Sequence, residues 1–223
     1  APLQAGASDK ALRAYKWKLR RWYDKDEAFA GDVTKLNMRL KYCPLLKKFP
    51  RFYFPYQIDG RGRAYPVPQV FQPQNDDAGR ALLKFARAKP LTERGQYWLA
   101  VFLATMYGHG WDKKSFNERI AWVDKYRNEI RDSAERPLKG DRFWFSAKKP
   151  WRFLAACQEW SHPRKNRGVF VSHLPIAMDG TCNGLQHFSA LSRDPAGAHA
   201  TNLIPSSTPQ DIYEDVAGKL RFR

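Results

Sequence analysis

The sequence predicts an α+β fold, mostly helical. Apolar residues recur every three or four positions over most of the chain, strand-like runs are few, and those runs lie far apart in sequence. The chain has 223 residues, 43% of them hydrophobic, which suffices for one large domain or two small ones.

Taken in order, the N-terminal stretch 8–41 is dense in Lys and Arg with interleaved aromatics. Leu12, Tyr15, Leu19 and Trp22 share helical spacing, so one face can pack while the basic face stays wet. Such a helix is either simply solvated or tracks phosphates. "GDVTKLNMRLKYC" reads as a second helix stopped by Pro44. "RFYFPYQID" alternates as a strand, Gly60 and Gly62 turn it back, and "RAYPV" returns, a hairpin. Helices follow at about 76–88, 92–107 and 115–136, the second started by Thr92 as cap with Gly95 in place of the usual Glu. A basic loop spans 137–149, and 150–161 is a helix with Pro150 in its first turn. After the basic loop "HPRKNRG", the branched run "VFVSHLPIAMD" reads as a buried strand, followed by a helix at about 181–193. A last helix opens with Thr208 as cap and Pro209 in its first turn. No internal repeat is visible.

Charge narrows the partner class. Lys and Arg number 39 against 22 acidic residues, a net charge of +17 with a pI near 9.9, and the mean hydropathy is −0.65. A chain this basic meets a polyanion, nucleic acid being the commonest; a ribosome-associated protein or a piece whose acidic half lies elsewhere are the alternatives. Cys43, Cys157 and Cys182 form no CxxC pair, which argues against a disulfide framework or zinc ribbon and for a reducing, cytosolic type of chain. Cys157 and His162 lack further partners at metal-ligand spacing, so ordinary buried thiols are expected. No apolar run approaches membrane-spanning length, and "APLQAGASDK" has no signal-peptide core.

Two segments carry candidate chemistry. In "IAMDGTCNGLQHFSAL" an apolar run ends in Asp179-Gly180. A carboxylate delivered into a turn suits a hard cation, and glycine lets backbone come close to an ion or phosphate. Projected as a helix, 181–193 sets Cys182, Leu185 and Phe188 on one side and Asn183, Gln186, His187 and Ala190 on the other. Neutral polar groups of that kind suit sugar hydroxyls and base edges. The plainer alternative makes Asp179 the cap of the next helix, with Asn183 and His187 satisfying core neighbours. In "DGRGRAY", Arg61, Arg63 and Tyr65 sit on a glycine-punctuated hairpin, where guanidinium forks can hold phosphate and the ring can stack or reach a sugar. The alternative is an ordinary tight turn with Asp59 paired to an Arg.

"DGRGRAYP", "MDGTCNGLQHFSALSRD" and "NLIPSSTPQDIYEDVA" together resemble the single-subunit, bacteriophage-type DNA-directed RNA polymerases, a family that includes the mitochondrial enzymes. The resemblance runs in order from about Phe52 to Leu220. It implies that Asp179 is one of two metal-bridging aspartates for magnesium (Mg2+), with the Gly180 carbonyl an auxiliary ligand. It also implies that Arg63 and Tyr65, with Asn183 and His187, line the path of the RNA–DNA hybrid, with Arg61 a further nucleic-acid-binding candidate from the hairpin itself. The expected partners are a DNA template, nascent RNA, ribonucleoside triphosphates and the remainder of a polymerase chain, with no membrane. Gly60 departs from an aromatic common in phage members, and Thr181 replaces a usual Ser while keeping the hydroxyl.

On that resemblance the chain divides into a basic helical segment (1–50), a strand-hairpin with the Asp-x-x-Gly-Arg motif (51–73), a helical region (74–168), and the first catalytic palm strand with its following helices (169–223). The whole is then a partial polymerase palm with an inserted helical region and short antiparallel strands. It implies an internal piece of a larger enzyme, inactive alone because the second aspartate and the nucleotide-binding helix are elsewhere. A non-catalytic basic nucleic-acid-binding module and a decayed polymerase remnant are the competing readings. A phage source, in host cytoplasm, is expected over an organellar one in the mitochondrial matrix, from compactness and an N-terminus without a transit-like pattern.

Overall fold

A computed structural model describes residues 8–161 and 171–221. The basic loop "HPRKNRG" with its His162, the first two residues of the expected strand at 169–170, and Phe222-Arg223 lie outside the described residues. The chain is 59% helical with two small antiparallel ladders, an α+β composition. It falls into two compact units, residues 1–75 and 76–223.

In the first unit, α1 runs without interruption from Asp9 to Leu46. Ser8 caps it, its Oγ accepting the Ala11 N–H at 3.4 Å. The two helices expected here are therefore one. Gly31 has open space around it and costs the helix about 1 kcal/mol, too little to break so long a run. Pro44 falls in the last turn, where its missing N–H deprives only one carbonyl. The expected packed face is not packed among the described residues: Leu12, Leu19 and Trp22 are exposed, as are Trp17 and Phe29. Arg39 is the buried exception, its guanidinium donating to Asn75 Oδ1 at 3.4 Å, and Asn75 in turn donates to the Gln69 and Val70 carbonyls. The hairpin forms as read, β1 (Tyr56–Ile58) against β2 (Ala64–Pro66), with Gln57 opposite Tyr65.

The second unit is built on helix packing. Its elements are α2 (Asp77–Ala81), β3 (Lys89–Pro90), α3 (Glu93–Tyr107), α4 (Phe116–Lys125), α5 (Arg127–Glu135), α6 (Pro150–Ser161), β4 (Val171–Ser172), α7 (Asn183–Ser192), α8 (Pro195–Ala200) and α9 (Ile212–Arg221). Thr92 caps α3 as expected, accepting the Gly95 N–H at 3.3 Å. The helix expected over 115–136 is two helices, divided at Tyr126, whose backbone leaves the helical region. The loop 137–149 contains a single 3₁₀ turn, Phe143–Ser146.

The core is contributed by Leu99, Leu103 and Met106 of α3, Trp122 and Val123 of α4, Ile130 of α5, and Phe153, Ala156, Cys157 and Trp160 of α6. The α6 positions repeat at helical spacing, so one stripe faces inward. Phe143 stacks on Tyr107 and Tyr126 with ring centroids 5.1 and 5.5 Å away, closing the core from the loop side. Arg119 is buried and fully engaged: it donates to the Lys114 and Asp112 carbonyls and to Thr105 Oγ1, all within 3.0 Å. Each nitrogen of the buried guanidinium thus has an oxygen partner, and the bond to Thr105 joins α4 to α3.

The core also anchors the approach to Asp179. Asp77 of α2 pairs with Arg152 of α6 at 2.8 Å. β3 and β4 pair Lys89 with Ser172 and Pro90 with Val171, and β3 has no counterpart in the sequence reading. Next to this ladder, the Phe85 N–H donates to the His173 carbonyl and His173 Nδ1 donates to the Phe85 carbonyl. The His173 N–H reaches Oε1 of the buried Glu159 at 3.0 Å. The expected buried strand thus shrinks to Val171–Ser172, and Ile176, Met178 and Asp179 are exposed. Pro175 brings no N–H for a ladder, and beyond His173 none of the described segments offers a partner strand.

Candidate nucleic-acid and metal site

Each unit holds one candidate constellation. In the first, Asp59 organises the hairpin turn. Its Oδ1 accepts the backbone N–H of both Arg61 and Arg63 at 2.9 Å, and its Oδ2 meets the Arg61 guanidinium at 3.4 Å. The Arg63 N–H is the largest influence holding the Asp59 carboxyl below the usual range. Gly62 takes a φ of 77°, the left-handed conformation this tight turn requires. The two arginines therefore differ. Arg61 is paired with Asp59, as the plainer reading of the turn had it, whereas Arg63 is exposed and has no side-chain partner among the described residues. Tyr65 is half-buried on β2.

In the second unit, Asp179 is exposed, and its Oδ1 accepts the N–H of the next residue, Gly180, at 2.8 Å. It does not cap α7. The cap position belongs to Cys182, at a φ of 52° and with no side-chain capping bond. No basic side chain among the described residues pairs with the Asp179 carboxylate, and none of them bonds its Oδ2. Among the described residues no group of three or more His, Cys, Asp and Glu side chains could hold a metal ion. One open carboxylate beside a backbone carbonyl suits a hard cation as a partial ligand set and cannot complete one. Cys157 is sealed in the core, and burial pushes its thiol well up, the behaviour of an inert structural cysteine.

The face of α7 differs from its projection. The inner side is Ser189, buried, with Gln186, which donates from Nε2 to the Thr201 carbonyl at 2.7 Å. Asn183 and His187 are exposed as expected, but Leu185 and Phe188 are exposed as well, so the polar and apolar residues share one open arc. Beyond α7, Asp194 starts α8 by accepting the Ala196 N–H, and the chain turns at Asn202, with a φ of 59°. Asn202 donates to Thr181 Oγ1 at 3.1 Å and to the Gln210 carbonyl at 2.9 Å, and accepts the Gln210 N–H at 2.7 Å. The last helix starts later than expected, at Ile212. Asp211 rather than Thr208 accepts its first N–H groups while pairing with Lys113 at 3.1 Å. On α9, the neighbouring Cys182 side chain pushes the Tyr213 hydroxyl up. The sequence reading missed Asn202; its signal was an Asn, tolerant of left-handed backbone, set between two helical runs.

A sequence model of the family described as DNA-dependent RNA polymerase matches residues 89–222, more than half of the chain. Among similar proteins are the chloroplastic DNA-directed RNA polymerase 3B of Nicotiana tabacum, 37% identical over 92% of this chain, and the mitochondrial DNA-directed RNA polymerase 1 of Nicotiana sylvestris, 36% identical over 98%. The mitochondrial DNA-directed RNA polymerase 1 of Arabidopsis thaliana is 35% identical over 94%. These are plant organellar enzymes, so the expectation of a phage source gains no support from them. The chain spans 21–22% of the length of these relatives. No helix among the described residues is long and apolar enough to cross a membrane. A match in order over nearly the whole chain, taking in the Asp179-Gly180 turn and the helices behind it, makes this a segment of the single-subunit, phage-type DNA-dependent RNA polymerase family, to which the chain belongs.

Proposed function

We propose that this chain contributes the first catalytic carboxylate and part of the hybrid-binding surface to a polymerase that joins ribonucleotides to an RNA 3′ end on a DNA template. The observation that carries the reading is Asp179: exposed, without a basic partner among the described residues, not a helix cap, and set in the irregular segment between an anchored β-segment and α7. Magnesium, when bound, supplies the charge that activates a 3′-hydroxyl and steadies a triphosphate leaving group. This chain would offer it the Asp179 carboxylate and the Gly180 carbonyl. Arg63 would hold a backbone phosphate of the hybrid, its turn locked by Asp59, while Tyr65 supports the same strand by stacking or through its hydroxyl. Asn183 and His187 would meet sugar or base edges from the open arc of α7. Arg61, already paired with Asp59, would add charge more than a directed contact.

Family membership favours this over a basic module that merely binds nucleic acid, and the alternatives separate experimentally. Asp179→Asn in the polymerase containing this chain removes the charge while keeping the shape. Primer extension on a preformed hybrid should fall by at least about 10³ with hybrid affinity nearly unchanged. Near-normal extension by the variant would show that Asp179 is not a catalytic ligand. The 223-residue chain alone should extend nothing. A single carboxylate cannot hold the two cations such transfer uses.

A further inference from the structure

We infer that Asn202 is a positioning residue for the Asp179-Gly180 turn, acting through the Thr181 hydroxyl. The inference rests on the reading of Asp179 as a metal ligand. Three observations carry it. Asn202 spends its whole side-chain amide on two segments: one donor goes to Thr181 Oγ1, while the other donor and the oxygen clamp Gln210. Its left-handed backbone aims that amide back across 21 residues of sequence. From the inner side of α7, Gln186 is fixed by the Thr201 carbonyl, and its Oε1 lies where a Cβ on Gly180 would stand only 3.1 Å away.

Of the two residues after Asp179, Thr181 is thus held by Asn202, while Gly180 is left little room for a side chain by the Gln186 amide. The carboxylate itself is left exposed. Among the described residues the only bond holding the Asp179 side chain is the one to its own neighbour, Gly180 N–H, so the aim of the carboxylate depends on the backbone that the Thr181–Asn202 bond holds. A hard cation needs its ligands held in place before it arrives, since each must displace ordered water.

The test uses the polymerase containing this chain and four variants: Thr181→Val, Thr181→Ser, Asn202→Ala, and Thr181→Val with Asn202→Ala. Amide hydrogen exchange of residues 178–184 is measured without magnesium. It should quicken roughly fivefold in Thr181→Val and in Asn202→Ala, the worth of one net hydrogen bond. It should stay at the parental rate in Thr181→Ser, and be no faster in the double variant than in Asn202→Ala. The magnesium concentration for half-maximal extension should rise alongside, with the nucleotide KM unmoved. Unchanged exchange in Thr181→Val, or full additivity in the double variant, overturns the inference. So does faster exchange with an unchanged magnesium curve, because the pair then holds a loop without aiming its carboxylate. Thr181→Val is close to isosteric and remains decisive should Asn202→Ala fail to fold. Asp179→Asn, run in parallel, reports separately on the metal reading: normal turnover there defeats that reading, whatever the exchange data say.

Discussion

Replacing Phe153 with Ala should destabilise the chain by about 4 kcal/mol. The ring is fully buried at the meeting point of three elements, with centroids 5.5 Å from Tyr107, 6.0 Å from Phe143 and 6.4 Å from Trp122. A phenylalanine buries on the order of 200 Å², which at roughly 25 cal/mol per Å² amounts to about 5 kcal/mol, less the share its remaining methyl keeps. The surrounding rings are themselves wedged between α3, α4 and the Phe143 loop, so they cannot collapse into the space. Phe→Ala changes in such sites span about 3–5 kcal/mol. Guanidinium unfolding followed by tryptophan fluorescence measures the loss, since Trp122, Trp144 and Trp160 all sit in the same core. The midpoint should drop with the slope unchanged. Phe188→Ala, on a ring 72% exposed, is the control and should stay within about 0.5 kcal/mol. Equal effects from the two substitutions, or a loss at Phe153 below about 1 kcal/mol, would refute the core assignment.

Arg63→Ala in the polymerase should weaken hybrid binding by about 1.5–3 kcal/mol. Arg13→Ala, one exposed charge among many on α1, should lower only the salt slope by about one counterion; parallel salt curves and equal rates for the two would remove any special role from the hairpin. Gly108→Ala should cost about 1–3 kcal/mol in the same unfolding assay, because the residue has a φ of 74° and a Cβ would meet Lys148 Cβ at 2.7 Å; a neutral result would mean the α3 terminus adjusts freely. The Asp59 carboxyl is held low in the folded turn, so its contribution is complete above the ordinary aspartate range and is lost as pH falls through the depressed folded value. The backbone amides of Arg61 and Arg63, followed by NMR, should titrate with a midpoint below about 3.9, and a midpoint at or above it would contradict the geometry.

Much of the second unit was legible because it follows period and punctuation. α3 and α6 carry an apolar stripe at helical spacing, with Thr92 and Pro150 marking where they begin. The hairpin was legible from its glycines. The failures have one physical origin, that local signals were given weight tertiary context overrode. The sequence reading divides the run into two helices, the second opening at Gly31 and stopped by Pro44, yet neither penalty exceeds what a 38-residue helix tolerates at those positions. The branched run before Asp179 has strand composition but, among the described residues, finds a partner strand only at Lys89–Pro90. Strand formation depends on what lies alongside, and composition does not report that. α8, "PAGAHA", has no apolar period at all and exists because Asp194 starts it and Ala198 packs. Asp179 and Arg63 stood out as chemistry-bearing types at glycine turns. Asn202 did not, since its importance lies in a bond to a residue 21 positions earlier.

Leu185, Phe188 and Leu191 stand 44%, 72% and 83% exposed along one flank of α7, on a chain of net charge +17. Two copies touching across that flank would release water from bulky hydrocarbon, and their like charge opposes that contact. That repulsion reaches about 30 Å at 0.01 M salt but only about 3 Å at 1 M. Concentrated salt therefore acts in two ways on so basic a chain: it weakens attraction to any polyanion and at the same moment screens the repulsion between copies. A purification that strips nucleic acid with a salt wash and leaves the protein there invites turbidity. The same wash followed at once by dilution, or made with an arginine buffer that coats the leucine-rich flank, keeps the molecules dispersed.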